Sequence, residues 1–178
     1  MWQNAWPKED LPEVESSVKS LALTMKVVAE NFASHLDIYL KSLLPSFETR
    51  YFSQTVRATT KVNSRLVHYY PCDSTFNGKW IGWHKDIGML TCLTPALYTN
   101  CKGEEIDWSD PESGLHAQTK SGEIVKLLVP KDCLIIQVGE AMEVLSGGLI
   151  KALPHSVIPA RQKDISRNAF AMFIDPVA

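Results

Sequence analysis

The sequence predicts a β-rich α+β fold in which antiparallel strands form a sandwich or jelly roll and one long N-terminal helix packs against them. Two observations support this class: one extended segment of helical periodicity before residue 45, and many short β-rich segments after it. The 178 residues, 45% of them hydrophobic, can bury one substantial core. We therefore expect a single domain over residues 1–178, with a helical part at 1–63 and a jelly-roll core at 64–178.

The predicted helix extends from Asp10 to Leu44. Its apolar residues recur at three- and four-residue steps, the period of a helix with one buried face. Asp10 is the predicted N-cap, and Pro12 is tolerated in the first turn. Pro45 prevents continuation of the helix. The apolar positions are Val14, Val18, Leu21, Met25, Val28, Phe32, Leu36, Tyr39 and Leu43.

Six later segments are predicted to form strands. Each is bounded by Gly, Pro, Asn, Asp or Ser, which is typical of antiparallel strands joined by turns. Within the third segment, Lys120, Ser121 and Gly122 predict a hairpin turn. The segments are 65–71, 80–93, 114–129, 132–138, 147–158 and 167–174.

The composition limits the classes of partner. The net charge of −2, with acidic and basic residues intermixed, lacks the basic field that nucleic-acid binding requires. The four cysteines have no zinc-ribbon spacing and make a poor disulfide framework for a chain of this length. The sequence has neither a secretory leader pattern nor an apolar run of transmembrane length. We expect a cytoplasmic protein that binds neither nucleic acid nor membranes.

Polar residues within the apolar segment "GWHKDIGMLTCL" point to a metal site. His84 and Asp86 are two residues apart and therefore share one face of the predicted strand. His155 lies on a later strand, and a jelly roll brings such distant strands face to face. Two imidazoles and one carboxylate form the ligand set of non-haem Fe(II) oxygenases, which leaves coordination positions open. The alternative reading is a buried network of satisfied polar side chains.

A second set of candidates lies on the first and last predicted strands. Arg167 begins the last strand, where its guanidinium could bind a dicarboxylate through two parallel hydrogen bonds. The alternative for Arg167 is a salt bridge with Asp164 or Asp175. In "RLVHYYP", the alternation of side chains places His68 and Tyr70 on one face, so that an imidazole and a phenol project into the same interior.

Together these segments resemble the isopenicillin N synthase-like group of 2-oxoglutarate- and Fe(II)-dependent dioxygenases. The resemblance extends over most of the chain, from "NAWP" before the helix to the last strand. It implies a double-stranded β-helix (jelly roll) and an oxygenase that uses Fe(II), 2-oxoglutarate and O₂. Such an enzyme oxidises a small organic substrate and releases succinate and CO₂. The ordered motifs are "RLVHYYP", "GWHKDIGMLTCL", "SGLHAQTKSGEIVKLLVP", "LIIQVGEAMEVLSGGLIKALPHSV" and "SRNAFAMFIDP".

The resemblance also implies roles for the candidate residues. Iron would be bound by His84, Asp86 and His155. The distal carboxylate of 2-oxoglutarate would be held by Arg167 with Tyr70 beside it. His68 would also contact the cosubstrate, because it occupies a position where the family often has a polar residue near the metal-bound end of that molecule.

Two departures from the family pattern motivate alternative functions. The family usually has Arg-x-Ser or Arg-x-Thr, whereas residue 169 is Ala169, so one hydroxyl that would bind the cosubstrate is missing. An Fe(II) oxidase that does not use 2-oxoglutarate is therefore one alternative. Family members are also typically longer before "N-x-W-P", whereas Met1 stands almost at that motif. This motivates a further alternative, a truncated metal-binding or interaction protein with impaired or no turnover.

Overall fold

The computed structural model describes residues 4–60, 62–73 and 75–176. The two longer helices lie in the N-terminal part and the strands all follow it in the described chain, which confirms the predicted fold class. Two compact units can be distinguished, the first ending at Arg57 and the second beginning at Ala58. The division into a helical part at 1–63 and a core at 64–178 within one domain stays a prediction. None of the described helices has the length and apolar character needed to cross a bilayer.

Helix α1 (Val14–Leu43) begins later than predicted. Its N-cap position is Glu13 rather than Asp10. The reason lies at Pro12, whose ring disfavours a helical conformation for the preceding residue, Leu11. Helical geometry therefore begins only after the proline.

Helix α2 (Tyr51–Ala58) was not expected from the sequence, and a distant carboxylate caps it. Asp37 of α1 accepts hydrogen bonds from the backbone N–H groups of Phe52 (2.8 Å) and Ser53 (2.9 Å). The Ser53 hydroxyl donates a further bond to the same carboxylate, at 2.7 Å. This capping explains why a charged residue belongs to the buried face of α1. That face consists of Met25, Ala29, Ala33, Asp37 and Leu40.

The described residues of the second unit form ten strands and a short helix. In chain order the strands are β1 (Asn63–Tyr69), β2 (Ile81–His84), β3 (Leu90–Leu93), β4 (Leu97–Thr99), β5 (Glu105–Ile106), β6 (Gly114–Gln118), β7 (Ile124–Lys126), β8 (Ile135–Val138), β9 (His155–Ile158) and β10 (Ser166–Ile174). Helix α3 (Glu140–Leu145) lies between β8 and β9.

The strands form two antiparallel sheets. The larger has the order β5-β4-β10-β3-β8, with β1 paired along the other side of β10. The smaller has the order β2-β9-β6-β7. The long strand β10 is therefore central to the larger sheet, since it pairs with β1 on one side and with β4 and β3 in turn on the other.

Side chains of β10 alternate between a buried face and a face that lines a cavity. Phe170, Met172 and Ile174 are buried on the first face. Arg167 and Ala169 lie on the second face, in the wall of a cavity of about 840 Å³. The smaller sheet contributes His84, His155 and Val157 to the same cavity.

The predicted strand at 80–93 is interrupted. It consists of β2 and β3, separated by residues 85–89, which are not in a strand. The backbone N–H groups of Glu140 and Ala141 donate to the carbonyls of Asp86 (2.7 Å) and Ile87 (3.0 Å). Because these carbonyls satisfy the free N–H groups of the first turn of α3, they are not available to a neighbouring strand.

Candidate metal centre

The two histidines of the predicted set are neighbours on adjacent strands. His84 at the end of β2 pairs directly with His155 at the start of β9, and the ring centroids are 4.2 Å apart. Asp86 follows two residues later, outside the strand. Its Oδ1 lies 3.8 Å from Nε2 of His84, and its Oδ2 lies 3.8 Å from Nε2 of His155. One donor atom from each residue lies within 4.8 Å of the other two, so the three side chains can bind one cation.

Backbone carbonyls fix the tautomers of both histidines. Nδ1 of His84 lies 2.9 Å from the carbonyl oxygen of Gly82, and Nδ1 of His155 lies 3.3 Å from that of Leu153. A carbonyl oxygen only accepts hydrogen bonds, so each Nδ1 carries the proton and donates it. The Nε2 lone pairs therefore face Asp86, which is the arrangement found in histidine ligands of metals.

Burial and charge within the cluster favour a bound cation. The side chain of Asp86 is 10% exposed, yet its Oδ2 has no hydrogen-bond partner among the described residues. A buried carboxylate oxygen without a partner is costly, and a metal ion would satisfy it. The alternative reading as a satisfied polar network does not fit this oxygen. The donor set of two neutral imidazoles and one carboxylate fits Fe(II).

The electrostatic environment keeps His155 neutral. Burial lowers the pKa of its imidazole, and this effect exceeds the opposing attraction of the Asp86 carboxylate. Neutral imidazole is the form that binds metals. The side chain of His84 is 38% exposed against 8% for His155, so the cluster is accessible from the His84 side.

Helix α3 holds the segment that carries Asp86. Besides the two hydrogen bonds from its first turn, the N–H of Gly139 donates to the carbonyl of Met89 at 2.9 Å. A Cβ atom on Gly139 would overlap the carbonyl oxygen of Gly88. Glycine at position 139 therefore allows the backbone of the metal-site segment to contact the start of α3.

Glu143 of α3 connects both ends of the metal site. Its carboxylate binds Lys85, between His84 and Asp86, and Lys151 near β9, at 3.4 and 3.0 Å. It also accepts a hydrogen bond from the backbone N–H of Ala152 at 3.0 Å. The hydrogen bonds from Lys151 and Ala152 are the main reason that the pKa of Glu143 is lowered from 4.5 to about 2.

Arg167 lies in the wall of the same cavity and is 6% exposed. The described residues include no carboxylate that forms an ion pair with it, and its Nε has no hydrogen-bond partner among them. The expected alternative, a salt bridge with Asp164 or Asp175, is therefore not found. A buried guanidinium with a free N–H group is suited to receive a carboxylate.

The phenol beside Arg167 belongs to Tyr69 and not to Tyr70. Tyr69 is the register partner of Arg167, whose Cζ lies 5.1 Å from the centroid of the Tyr69 ring. Burial raises the pKa of the Tyr69 phenol, while the charge of Arg167 and a hydrogen bond from it oppose the rise.

The structure does not bring Tyr70 to Arg167, whereas His68 lines the same cavity as Arg167. Tyr70 is 74% exposed, and its ring contacts that of His68 at 4.5 Å. His68 is also exposed and donates a hydrogen bond from Nδ1 to Oδ1 of Asn168, at 2.6 Å. Both rings lie on the face of β1 opposite Tyr69, because neighbouring side chains of a strand alternate. Among the described contacts, Tyr69 and not Tyr70 lies beside Arg167, and the cofactor-binding roles of Tyr70 and His68 stay predictions.

Sequence reasoning also missed a polar residue in the cavity wall. Thr91 of β3 is 2% exposed, and its Oγ1 has no hydrogen-bond partner among the described residues. Its signal in the sequence was the single hydroxyl within the apolar run "MLTCL".

The fold and the site define a class: jelly-roll proteins with a 2-His-1-carboxylate cluster beside a buried arginine. The model of the 2OG-Fe(II) oxygenase superfamily matches residues 61–176, and the chain belongs to this family. The predicted family is thereby confirmed.

Curated relatives are plant oxygenases. The chain is 24% identical over 184 residues to 1-aminocyclopropane-1-carboxylate oxidase 3 of Arabidopsis thaliana, covering 98% of this chain and 52% of the relative. It is 28% identical over 178 residues to 1-aminocyclopropane-1-carboxylate oxidase 5 of the same plant, covering 98% and 51%. The chain thus spans about half the length of the curated relatives it matches.

Solved structures share the fold. A 2OG-Fe(II) oxygenase family protein from Caulobacter crescentus has a TM-score of 0.76 and 24% identity, covering 99% of this chain and 52% of that one. A full-length protein of Neurospora crassa, solved in complex with alpha-KG, has a TM-score of 0.74 and 21% identity, covering 99% and 51%.

Proposed function

We propose that this chain is an Fe(II)- and 2-oxoglutarate-dependent oxygenase that oxidises a small organic substrate with O₂ and releases succinate and CO₂. One observation carries the proposal. Asp86 Oδ2 and Arg167 Nε are buried groups without hydrogen-bond partners among the described residues, and both line one cavity. A cation at the first group and a carboxylate at the second would satisfy both.

The metal site uses three side chains of this chain. His84, Asp86 and His155 would hold Fe(II) through Nε2, a carboxylate oxygen and Nε2. Bound Fe(II) with 2-oxoglutarate supplies O₂ activation in this family. The carbonyls of Gly82 and Leu153 keep the Nδ1 protons in place, so that both imidazoles present a lone pair.

Arg167 would bind the distal carboxylate of 2-oxoglutarate. Its position on β10 directs the guanidinium toward the cavity, and Tyr69 covers one side of it. The flanking apolar side chains Val67, Ala169 and Leu115 exclude water, which strengthens the charge pairing. Tyr69 replaces Tyr70 in this proposal because only Tyr69 contacts Arg167.

An anaerobic titration with Fe(II) and 2-oxoglutarate tests the proposal. We expect the weak visible charge-transfer band of the chelate in the wild type, and succinate production when O₂ and a substrate are added. Asp86→Asn should abolish the band, and Arg167→Met should weaken 2-oxoglutarate binding at least about tenfold. A wild-type protein that binds neither Fe(II) nor 2-oxoglutarate would refute the function and would support a non-catalytic interaction protein.

A second candidate is an Fe(II) oxidase that does not use 2-oxoglutarate. Ala169 supports it, because this residue lies in the cavity wall two positions after Arg167 and offers no hydroxyl to a cosubstrate. Measuring 2-oxoglutarate consumption during O₂-dependent substrate oxidation separates the two candidates. Oxidation without consumption would favour the oxidase.

A further inference from the structure

We propose that the end of the cavity farthest from Arg167 binds the substrate to be oxidised, and that this substrate is a small organic carboxylate. Arg65 would bind the carboxylate, and Thr91 would donate a hydrogen bond to a second acceptor atom of the same molecule. This inference rests on the proposed function, because it takes the cavity beside the metal cluster as the active site.

Strand register separates the two arginines of the cavity. Arg65 of β1 pairs with Ala171 of β10, whereas Arg167 pairs with Tyr69. Arg65 and Tyr69 share one face of β1 and are four residues apart, which corresponds to about 13 Å along a strand. The two guanidinium groups therefore belong to opposite ends of the cavity, and a cosubstrate at Arg167 leaves the other end free.

Arg65 is exposed, is positioned by stacking and has no ion-pair partner among the described residues. Its Cζ lies 5.1 Å from the centroid of the Phe173 ring. Stacking holds the plane of a guanidinium while its edge N–H groups remain available for a carboxylate.

The other charges of the cavity leave Arg65 available to an anion. Lys85 binds Glu143, and Asp86 belongs to the metal cluster. Asp175 also lines this end of the cavity, but among the described residues no ion pair joins it to Arg65.

Thr91 supplies an independent sign of a ligand at this end. It pairs with Phe173 on one side and with Gln137 on the other, and both neighbours line the cavity. Its Oγ1 is buried and has no hydrogen-bond partner in the described part of the chain. A buried hydroxyl without a partner is costly, and an acceptor atom of a ligand would satisfy it.

Apolar side chains lie between the charged and polar groups. Val67, Leu93, Ala171 and Val157 line the cavity together with Phe173. A ligand that matches these surroundings has an apolar body, one carboxylate and one further hydrogen-bond acceptor. A neutral molecule would gain no charge pairing with Arg65, and a purely polar one would not match the apolar wall.

Calorimetric titration of the anaerobic protein, loaded with Mn²⁺ and saturating 2-oxoglutarate, tests this inference. The probes each carry one carboxylate and one further oxygen acceptor: 6-hydroxyhexanoate, 4-methoxybenzoate and 3-(4-methoxyphenyl)propanoate, each compared with its uncharged amide. We expect at least one carboxylate to bind about tenfold or more tightly than its amide. Arg65→Met should abolish this preference. The matched control is Arg161→Met, which removes an exposed arginine paired with Glu112 at 2.6 Å and should leave binding unchanged.

Thr91→Val tests the second contact. It should retain the preference for carboxylate over amide but weaken binding of the carboxylate about two- to tenfold. Equal binding of carboxylates and amides, or an unchanged preference in Arg65→Met, would overturn the inference. In that case the Fe(II) and 2-oxoglutarate band would still form, whereas its absence would overturn the proposed function and this substrate assignment with it.

Discussion

At the residue scale, two consecutive tyrosines have opposite environments. Tyr69 is the last residue of β1, and Tyr70 follows it. Tyr69 contacts Arg167, whereas Tyr70 is exposed. We predict that Tyr69→Phe weakens 2-oxoglutarate binding about two- to tenfold, because it removes a phenol beside the guanidinium proposed to hold the cosubstrate. Tyr70→Phe should leave the affinity unchanged. The measurement is the charge-transfer band during titration of the Fe(II) protein with 2-oxoglutarate.

The two variants form a matched pair, since each loses one hydroxyl from a neighbouring position. A weaker 2-oxoglutarate affinity in Tyr70→Phe alone would contradict the register of β1 and β10.

The sequence predicted which polar side chains gather at the cavity better than it predicted their surroundings. Charged and imidazole side chains within apolar segments are conspicuous, which is why His84, Asp86, His155 and Arg167 could be selected. The choice between Tyr69 and Tyr70 could not be made in this way. Both faces of "RLVHYYP" mix polar and apolar residues, so only the pairing with β10 determines which face is inside.

At the element scale, the contact between α3 and the metal-site segment leads to a prediction about glycine. Gly139 has a φ of −96°, which alanine adopts without strain, but a Cβ there would overlap the Gly88 carbonyl. Gly139→Ala should therefore displace the segment that carries Asp86. We expect a destabilisation of about 1–3 kcal/mol and at least about tenfold weaker Mn²⁺ binding by calorimetry.

Gly82→Ala is the control for this prediction. Gly82 also lies beside the cluster, but a Cβ atom there would have open space around it, and its carbonyl remains the acceptor for His84. Metal affinity should stay at the wild-type value. Equal losses in both variants would contradict a specific role for Gly139.

The hydrogen bonds of Glu143 lead to a pH-dependent prediction. Because the folded-state pKa of Glu143 is about 2 against an ordinary value of 4.5, the ionised carboxylate stabilises the fold above about pH 4.5. This contribution is lost as the pH falls toward about 2. Glu143→Gln should therefore lower the Tm at about pH 7, and the difference from wild type should diminish below about pH 4.5.

Glu123→Gln, in the exposed hairpin between β6 and β7, serves as the control and should change the Tm little at any pH. A Tm difference for Glu143→Gln that stays constant from about pH 7 to about pH 3 would count against the ionic contacts of Glu143.

The secondary structure that the sequence did not predict is short and held by distant groups. Helix α2 has eight residues and is capped by Asp37 of α1, and α3 has six residues and is bound by carbonyls of the metal-site segment. Neither partner is close in sequence. By contrast, α1 and the β10 strand have long periodic patterns, which sequence analysis recognises well.

At the scale of the whole molecule, a bound ion should stabilise the folded chain. Mn²⁺ at about a hundredfold excess over its Kd should add about 2.7 kcal/mol to the free energy of unfolding. Protons compete with the ion for its ligand atoms, so this gain should decrease at acidic pH. Burial lowers the pKa of His155, which extends metal binding to a lower pH than for a free imidazole.

Thermal unfolding with and without Mn²⁺, between about pH 5 and about pH 8, measures this gain. Asp86→Asn should remove it, while Asp175→Asn, which changes another carboxylate of the same cavity, should retain it. A gain that survives in Asp86→Asn would place the ion elsewhere.

The hydrogen bonds of the two imidazoles to Gly82 and Leu153 have a consequence for mutation and inheritance. Each acceptor is a main-chain oxygen two positions before its histidine, and every amino acid supplies such an oxygen. A codon change at either acceptor position therefore cannot delete the group itself. The protonation pattern of the ligands is in this respect protected against single substitutions, and it depends on the path of the chain rather than on the identity of a neighbour.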